Sequence, residues 1–404
     1  MIGALLLIWI AFHILTGGLF LTPRNLWNLS VQAAPVAIMA TGMALVIITR
    51  NIDLSIGSTL GFLGMAMGVI QADLLPKLLG FEYPATWVLA LGAGLALGVV
   101  IGALQGALIA YLGLPSFIVT LGGLLVWRGA AWWVTSGQTV APLDARFRLM
   151  GGGTEGSIGA GWSWAVGVLA CVALLLAQAH ARHRRQKFRF PLRPMAAEIF
   201  LGGIACLAIL GAVAVANAYP WPIGSVRRYA EANHITLPAG GLVIAHGIAV
   251  PVLMAIGIGM TFLANRTRFG RYVYAIGGNR EAVELAGVDA RWVVMKLFML
   301  MGLLAGIGGA ISIARLNAAT NSEGTLTELL VIAAAVIGGS SLAGGVGTAA
   351  GAMLGAVLMQ SLQSGMVLVG VDTPLQNIVV GIVLVLAVLI DTLYRRRTRR
   401  ISWQ

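Results

Sequence analysis

The residues whose types and spacing bear on chemistry lie in two short polar segments set between long apolar runs. The first is Thr49-Arg50-Asn51-Ile52-Asp53-Leu54-Ser55-Ile56-Gly57-Ser58. Arg50 and Asp53 stand three residues apart, and such charges are expensive at membrane depth unless they are paired or face a cavity. Either Asp53 caps the next helix or pairs with Arg50 in a turn at the membrane surface, or the segment is a broken helix beside a polar path. In the second case Asn51, Asp53, Ser55 and Ser58 are pathway candidates. The other segment is Gly277-Gly278-Asn279-Arg280-Glu281-Ala282-Val283-Glu284-Leu285-Ala286-Gly287, inside a polar island from Asn265 to Trp292. It reads as a complete small helix. The Asn279 side chain is a good N-cap, since its oxygen accepts a backbone N–H left free at the helix start. Glu281 and Glu284 fall in the first turns, where negative charge suits the helix dipole, and Gly287 sits where a C′ glycine stops a helix. A capped helix in a basic loop between apolar runs presents a docking surface to a soluble partner.

Catalytic constellations are missing. There is no HExxH, no GxSxG, no P-loop GxxxxGK[ST] and no pair of carboxylates at fixed spacing. The expectation is therefore no catalytic residue, no metal ligand and no cofactor on this chain, and without a P-loop it cannot drive itself with ATP. Cys171 and Cys206 are isolated thiols inside apolar runs, without CxxC spacing, and read as small buried hydrophobes. His13, His180, His183, His234 and His246 are scattered; His180 and His183 read as solvated, and His246 lies near the entrance of an apolar run.

The elements that must position these segments are membrane helices. The chain is 59% hydrophobic and 10% charged, against about 25% charge in soluble domains. Apolar stretches at 2–21, 31–50, 56–75, 87–112, 115–136, 162–181, 196–218, 242–264, 293–315, 325–343, 347–369 and 375–394 are long enough to be spans. The predicted fold is an all-α, polytopic integral membrane bundle of about 10–12 helices, some broken or re-entrant. The opening run, residues 2–21, reads as a span and not as a cleaved signal. The net charge of +12 is segregated. Basic residues crowd into the loop 182–195, the loop 265–292 and the tail 395–404, whereas the opposite loops hold only Arg24, Lys77, Arg146, Arg148, Arg227 and Arg228. That bias places both termini in the cytoplasm and makes the basic balance topological, so nucleic acid is not an expected partner.

Glycines recur every fourth residue at Gly98, Gly102 and Gly106, and again at Gly347, Gly351 and Gly355. Such stripes let helices approach closely in lipid, within the chain or between copies. Two outer loops are long, 137–161 and 219–241, and serve either as connectors or as contacts for an extracytoplasmic partner. Gly338 to Gly345 is a Gly/Ser-rich turn, read as a packed corner or a pathway mouth. Gln105, Arg128, Arg315, Asn317, Glu328, Gln360, Gln363 and Asn377 are polar groups within or beside apolar runs. A cavity lined by amides and hydroxyls suits a neutral polyol, because hydrogen bonds exchange one for one. Glu328 and Gln360 join the pathway candidates. Trp127, Trp132 and Trp133 read as an interface belt, with sugar stacking as the other reading.

Four motifs, NIDLSIGS at 51–58, LPSFIVTLGGLLVWRG at 114–129, RTRFGRYVYAIGGNREAVELAGVD at 266–289 and the run from Glu328 to Ala356, resemble the monosaccharide permease subunits of bacterial ABC importers. This is the ribose/xylose/galactose group, and within it the chain is most similar to the xylose permeases, on its extra segment from about 182 to 241. It departs from the group's pattern at 328–336. The resemblance covers nearly the whole chain and implies one permease domain, 1–404, in the bacterial inner membrane. It further implies a homodimer of permeases, a separate ATP-binding-cassette subunit holding ATP and magnesium, and a periplasmic sugar-binding protein. By resemblance, 277–289 is the coupling region: Val283, Leu285 and Ala286 enter a groove on the ATPase, with Arg280, Glu281 and Glu284 around them. The expected activity is import of a monosaccharide, D-xylose first. The alternative is a gradient-driven secondary sugar transporter, which predicts a titratable relay within the spans.

Overall fold

Long runs of Leu, Val, Ile, Ala and Gly in lipid must satisfy their backbone polar groups internally, which favours helix. The computed structural model describes residues 1–80, 83–232, 234, 244–248 and 250–401, and among these there are helices, loops and two isolated bridges but no strand. The principal helices are α1 (Ile2–Leu15), α2 (Pro23–Ile48), α3 (Ile56–Val69), α4 (Thr86–Ala110), α5 (Ser116–Thr135), α6 (Gly159–Lys187), α7 (Met195–Asn217), α8 (Pro251–Arg266), α9 (Arg268–Gly278), α10 (Arg280–Leu285), α11 (Ala290–Leu316), α12 (Thr327–Ile337), α13 (Ala349–Val369) and α14 (Thr373–Ile401). Among the described residues, eight helical segments are long and apolar enough to cross a membrane: α2, α3 with its extension to Leu79, α4, α5, α6, α7, α11 and α13. Four shorter apolar helices, α1, Val252–Arg266, α12 and Thr373–Leu389, accompany them. The chain is thus an all-α, multi-pass membrane protein with incomplete helices among its spans.

One expected span is shorter than its apolar run. The run 325–343 is helical only over α12, whose 11 residues rise about 16 Å, roughly half of a bilayer core. It stops at Gly338, where a Cβ would lie 2.6 Å from the backbone of Gly351, and Gly339 follows at φ +93°. Of the run 242–264, residues 242, 243 and 249 lie outside the described residues, and α8 begins at Pro251, a residue suited to a first helical position.

The chain divides into two compact units. The larger comprises Met1–Leu21, Leu29–Gly152 and Val252–Gln404. Its centre is α2, where Ile38, Met39, Met43, Leu45 and Ile47 are buried, together with α11, α3 and α4. Both glycine stripes are occupied inside this unit. On α4, Gly98 lies against Gly302 of α11, Gly102 against Phe298 and Met299, and Gly106 against Met295. On α13, Gly351 lies against Gly338, and Gly355 against Ala334 of α12. Along α5, Phe117, Ile118, Leu125, Trp132 and Trp133 are exposed, as a lipid-facing helix requires, while Trp127 stacks on Phe62 at 5.4 Å. The loop after α5 is no free connector: Val140 bridges Ala319, Leu143 N donates to Asn317 Oδ1 at 3.1 Å, and Asp144 N donates to Gln71 Oε1 at 3.0 Å.

The smaller unit comprises Thr22–Asn28 and Gly153–Pro251. In it α6 and α7 pack together, Gly167 against Val213 and Gly202 against Gln178. Cys171 is buried and free, with Sγ 3.8 Å from the Cys206 carbonyl. An aromatic knot closes this unit elsewhere. The Tyr219 and His246 rings stack at 4.3 Å, Trp27 lies 4.5 Å from His246, Trp27 Nε1 donates to Gly247 O and His246 Nδ1 to Tyr219 O, both at 2.9 Å. Burial lowers the imidazole pKa, against the Tyr219 hydrogen bond that raises it. With the folded value depressed, the knot is fully stable above the ordinary histidine value of about 6.5, and it loses stability as pH falls through that value because the opened form binds the proton first. We expect Trp27 fluorescence to change on acidification below that value and the change to vanish in His246→Phe; a pH-independent wild-type signal would contradict it. Of the expected outer loop 219–241, residues 233 and 235–241 lie outside the described residues, and Ile223–Ala232 is helical.

Candidate functional site

The polar island 265–292 folds as two helices, not the one expected. α9 is amphipathic, with Gly270, Val273, Ile276 and Gly277 buried, and Thr267 caps it through Gly270 N at 3.1 Å. Gly277 and Gly278 close this helix; they do not open the next. α10 follows after Asn279, whose Oδ1 accepts Ala282 N at 3.1 Å. Gly287, at φ +79°, stops it: Gly287 N donates to Glu284 O and Val288 N to Val283 O. Arg280 Nε reaches Glu284 Oε1 at 2.9 Å on the exposed face. Glu281, Glu284 and Ala286 are exposed. Leu285 is 90% exposed, whereas Val283 is buried. Val283 therefore anchors α10 in this chain and does not point outward with Leu285 and Ala286. Asp289 then caps α11 through Trp292 N at 3.0 Å.

The base of this helical pair is joined to the first polar segment. Arg50 stands just past α2 in the left-handed region, φ 63°. Its Nε and Nη2 donate to the Gly277 and Gly278 carbonyls at 3.1 and 3.0 Å. Those are the last carbonyls of α9, free by geometry and negative by dipole, so a guanidinium suits them. A third segment closes the junction. Gly345 N donates to Ile48 O at 2.9 Å, and Tyr274 Oη donates to Gly347 O at 2.8 Å. Burial raises the Tyr274 pKa, which keeps that donor protonated. Gly344 and Gly345 take φ values of 85° and 76°, open to glycine at little cost. Gly277 has no room for a side chain, since a Cβ would overlap Ile48 O and stand 2.6 Å from Gly345 N. The Gly/Ser-rich turn is thus a packed corner, locked to α2 and α9.

Residues 51–55 form a non-helical break in which Asp53 and Ser55 are buried and Asn51, Ile52 and Leu54 half-buried. Asp53 Oδ1 accepts Ser55 N at 2.9 Å and Ser55 Oγ at 2.7 Å, so Asp53 holds Ser55, the residue that opens α3, and makes no ion pair with Arg50 among the described residues. Gln105 Nε2 of α4 donates to Ser55 Oγ at 2.9 Å. From α5, Ser116 Oγ accepts Ile52 N at 3.2 Å and Thr120 Oγ1 donates to Ile52 O at 3.3 Å. Asn51 Nδ2 turns back to Thr49 Oγ1 at 2.9 Å. Asp53, Ser55 and Ser58 are all buried. This arrangement is a helix break seated among three helices, with its own polar groups largely satisfied.

Glu328, buried at the start of α12, abuts Gly57 in the first turn of α3, and its Oε2 has no hydrogen-bond partner among the described residues. Gln360 lies elsewhere, joined to Gln32 of α2 by a 3.2 Å hydrogen bond. The structure thus brings the first turn of α3 and Glu328 together and leaves Gln360 apart. Sequence reasoning passed over Glu323, whose carboxylate accepts from Ser312 and whose carbonyl receives Arg128 Nη1 at 2.9 Å. It also passed over Tyr274. Arg50 was singled out in the sequence, but with Asp53 as its possible partner and not the carbonyls that end α9.

Comparisons with known proteins show the family of the chain. A family model described as branched-chain amino acid transport system / permease component matches residues 25–388. The xylose transport system permease protein XylH of Escherichia coli (strain K12) is 38% identical over 400 residues, 98% of this chain and 92% of that protein. XylH of Haemophilus influenzae is 36% identical, covering 98% of this chain and 96% of its own length. The ribose import permease protein RbsC of Escherichia coli (strain K12) is 32% identical over 92% of this chain and 87% of that protein. No solved structure matches. With a family match across nearly all of its spans and relatives aligned end to end, the chain belongs to the family of branched-chain amino acid transport system permease components.

Proposed function

We propose that the chain is the permease subunit of an ATP-binding-cassette importer that carries D-xylose across the bacterial inner membrane. The reading rests first on its nearly end-to-end likeness to permeases named for xylose. The observation in the structure that supports it is the α9–α10 pair, which sets an exposed Leu285 beside a junction tied to the spans through Arg50. A separate ATPase subunit binds ATP and magnesium and receives α10 through Leu285 and Ala286, with Arg280, Glu281 and Glu284 around them. A periplasmic sugar-binding protein delivers the sugar at the opposite face, a second copy completes the permease dimer, and both termini are cytoplasmic. Movement of α10 on ATP closure pulls on the α9 carbonyls held by Arg50. It therefore acts on the end of α2 and on the 51–55 break beside α3, α4 and α5. Asn51, Asp53, Ser55, Ser58, Glu328 and Gln360 are the residues assigned to the pathway. Net transport requires that the outward and inward states differ in sugar affinity, not that either binds tightly.

The test is ATP hydrolysis by proteoliposomes carrying this chain, its ATPase and a sugar-loaded binding protein. Stimulation by the xylose-loaded protein, and not by ribose- or galactose-loaded ones, is the expected result; gradient-driven uptake without ATP would overturn the reading. Within that assay Leu285→Glu tests the docking surface. An apolar anchor at a protein interface contributes about 2 kcal/mol or more, so stimulation should fall roughly thirtyfold. Arg280→Ala removes only an exposed ion pair, with an effect of about 0–1 kcal/mol. Equal activity of the two variants would reject Leu285 as the anchor.

A further inference from the structure

We infer that the turn between α6 and α7 is a binding site for the phosphate headgroup of an anionic phospholipid. Ala181, Arg184, Arg185 and Phe188 recur at three- and four-residue spacing, so they share one face of the end of α6. The chain then folds back, with Phe188 N donating to Arg184 O at 3.1 Å and Phe190 N to Arg185 O at 2.9 Å. Phe190 and Pro191 supply the other wall of a cleft of about 500 Å³ lined by these six residues. The neighbouring Arg182 is already engaged: its Nη1 pairs with Glu198 Oε2 at 2.6 Å and donates to Arg193 O at 3.2 Å, which clamps the turn. Arg184 and Arg185 make no ion pair or side-chain hydrogen bond among the described residues, and both are exposed. Two guanidiniums on one face, without a counter-charge, suit a phosphate and its paired acceptor oxygens.

The surroundings choose the source of that phosphate. Both arms of the turn are candidate membrane spans, and Leu176, Ile199 and Leu207 on them are exposed apolar residues, so the cleft sits where lipid meets water. Phe188 and Phe190 are 60% and 63% exposed beside the two arginines. A phospholipid supplies acyl carbon for those rings as well as an anion for the guanidiniums, whereas free phosphate supplies only the anion. Basic pockets between membrane helices bind anionic headgroups on these grounds. Neither the sugar nor the ATPase partner is needed for the inference.

The experiment is native mass spectrometry of the purified full-length permease, titrated with phosphatidylglycerol or with phosphatidylcholine bearing the same acyl chains. The wild type should retain phosphatidylglycerol selectively. Arg184→Ala with Arg185→Ala should weaken that binding roughly thirtyfold, from two surface charges acting together, and leave phosphatidylcholine unchanged. Arg184→Lys with Arg185→Lys keeps both charges and should retain most of the selectivity, which also shows that the turn remains folded. Arg227→Ala with Arg228→Ala removes equal charge elsewhere and should retain it too. Equal retention of both lipids by the wild type, unchanged selectivity in the double alanine variant, or equal loss in the Arg227/Arg228 variant would each overturn the site. Displacement of phosphatidylglycerol by inorganic phosphate at comparable affinity would overturn the lipid as its occupant.

Discussion

Arg50→Gly lowers xylose uptake per ATP hydrolysed at least tenfold while the permease stays folded and the assembled complex keeps its basal ATPase activity. The choice of glycine separates two roles of the residue. Arg50 holds φ 63°, a region that costs an ordinary residue about 1–2 kcal/mol, so glycine relieves the backbone as it removes the side chain. What is lost are two charge-assisted hydrogen bonds to the Gly277 and Gly278 carbonyls, worth about 1.5–3 kcal/mol each when buried and less here, since the guanidinium is partly exposed. The fold survives because Gly345 N to Ile48 O and Tyr274 to Gly347 O still close the corner. The lever is weakened because α9 no longer grips the end of α2. Arg50→Lys should be nearly as defective, since an ammonium cannot reproduce the fork that reaches two successive carbonyls. Uptake and hydrolysis measured on the same proteoliposomes decide it. Wild-type coupling in Arg50→Gly would remove Arg50 from the transmission path, and loss of folded protein would assign it to stability instead.

The residues that make this junction were only partly legible in the sequence. Local signals carried well. Asn279, Gly287 and the acidic first turn specify α10 by capping and dipole alone, and the caps stand where those signals put them. Long apolar runs likewise announce helices, because lipid leaves the backbone no other partner. Partners distant in the chain left weaker marks. Arg50 and Gly277 are 227 residues apart, and neither type names the other. Asp53 was open between a cap and an ion pair, and it binds Ser55, the N-cap residue of α3, without reaching Arg50, because Ser55 N and Oγ lie only two residues away.

α9 was missed because its apolar face, Val273, Ile276 and Gly277, is short and interrupted by Arg271, Tyr272 and Tyr274. Its burial depends on α2 and on the 340–347 turn, which no local pattern reveals. The inward turn of Val283 is of the same kind. On a helix as short as α10, Val283 and Leu285 are two residues apart and cannot share a face, so an apolar pair in the sequence becomes one anchor and one exposed side chain.

The glycine stripe on α4 shows how far such ambiguity reaches, and a pair of alanines resolves it. Gly102→Ala should destabilise the permease, while Gly92→Ala on the same helix should leave it unchanged or raise its melting temperature. At Gly102 a Cβ would overlap Phe298 O and stand 2.8 Å from Met299 Cα. These are backbone atoms of α11 that no rotamer change can move aside, so α4 and α11 must part. Overpacking costs about 1–3 kcal/mol even where side chains can shift, and association in lipid depends on packing with no water exclusion to offset the loss. At Gly92 a Cβ meets nothing within 4 Å, and exchange of helical glycine for alanine there gains about 1 kcal/mol. Thermal unfolding of both variants in detergent, read beside their oligomeric state, separates the two readings of the stripe. A self-association face predicts that Gly102→Ala melts like the wild type but dissociates. An intramolecular seam predicts that it melts early, whatever its oligomeric state, and the contacts of Gly98, Gly102 and Gly106 with Gly302, Phe298 and Met295 require the second.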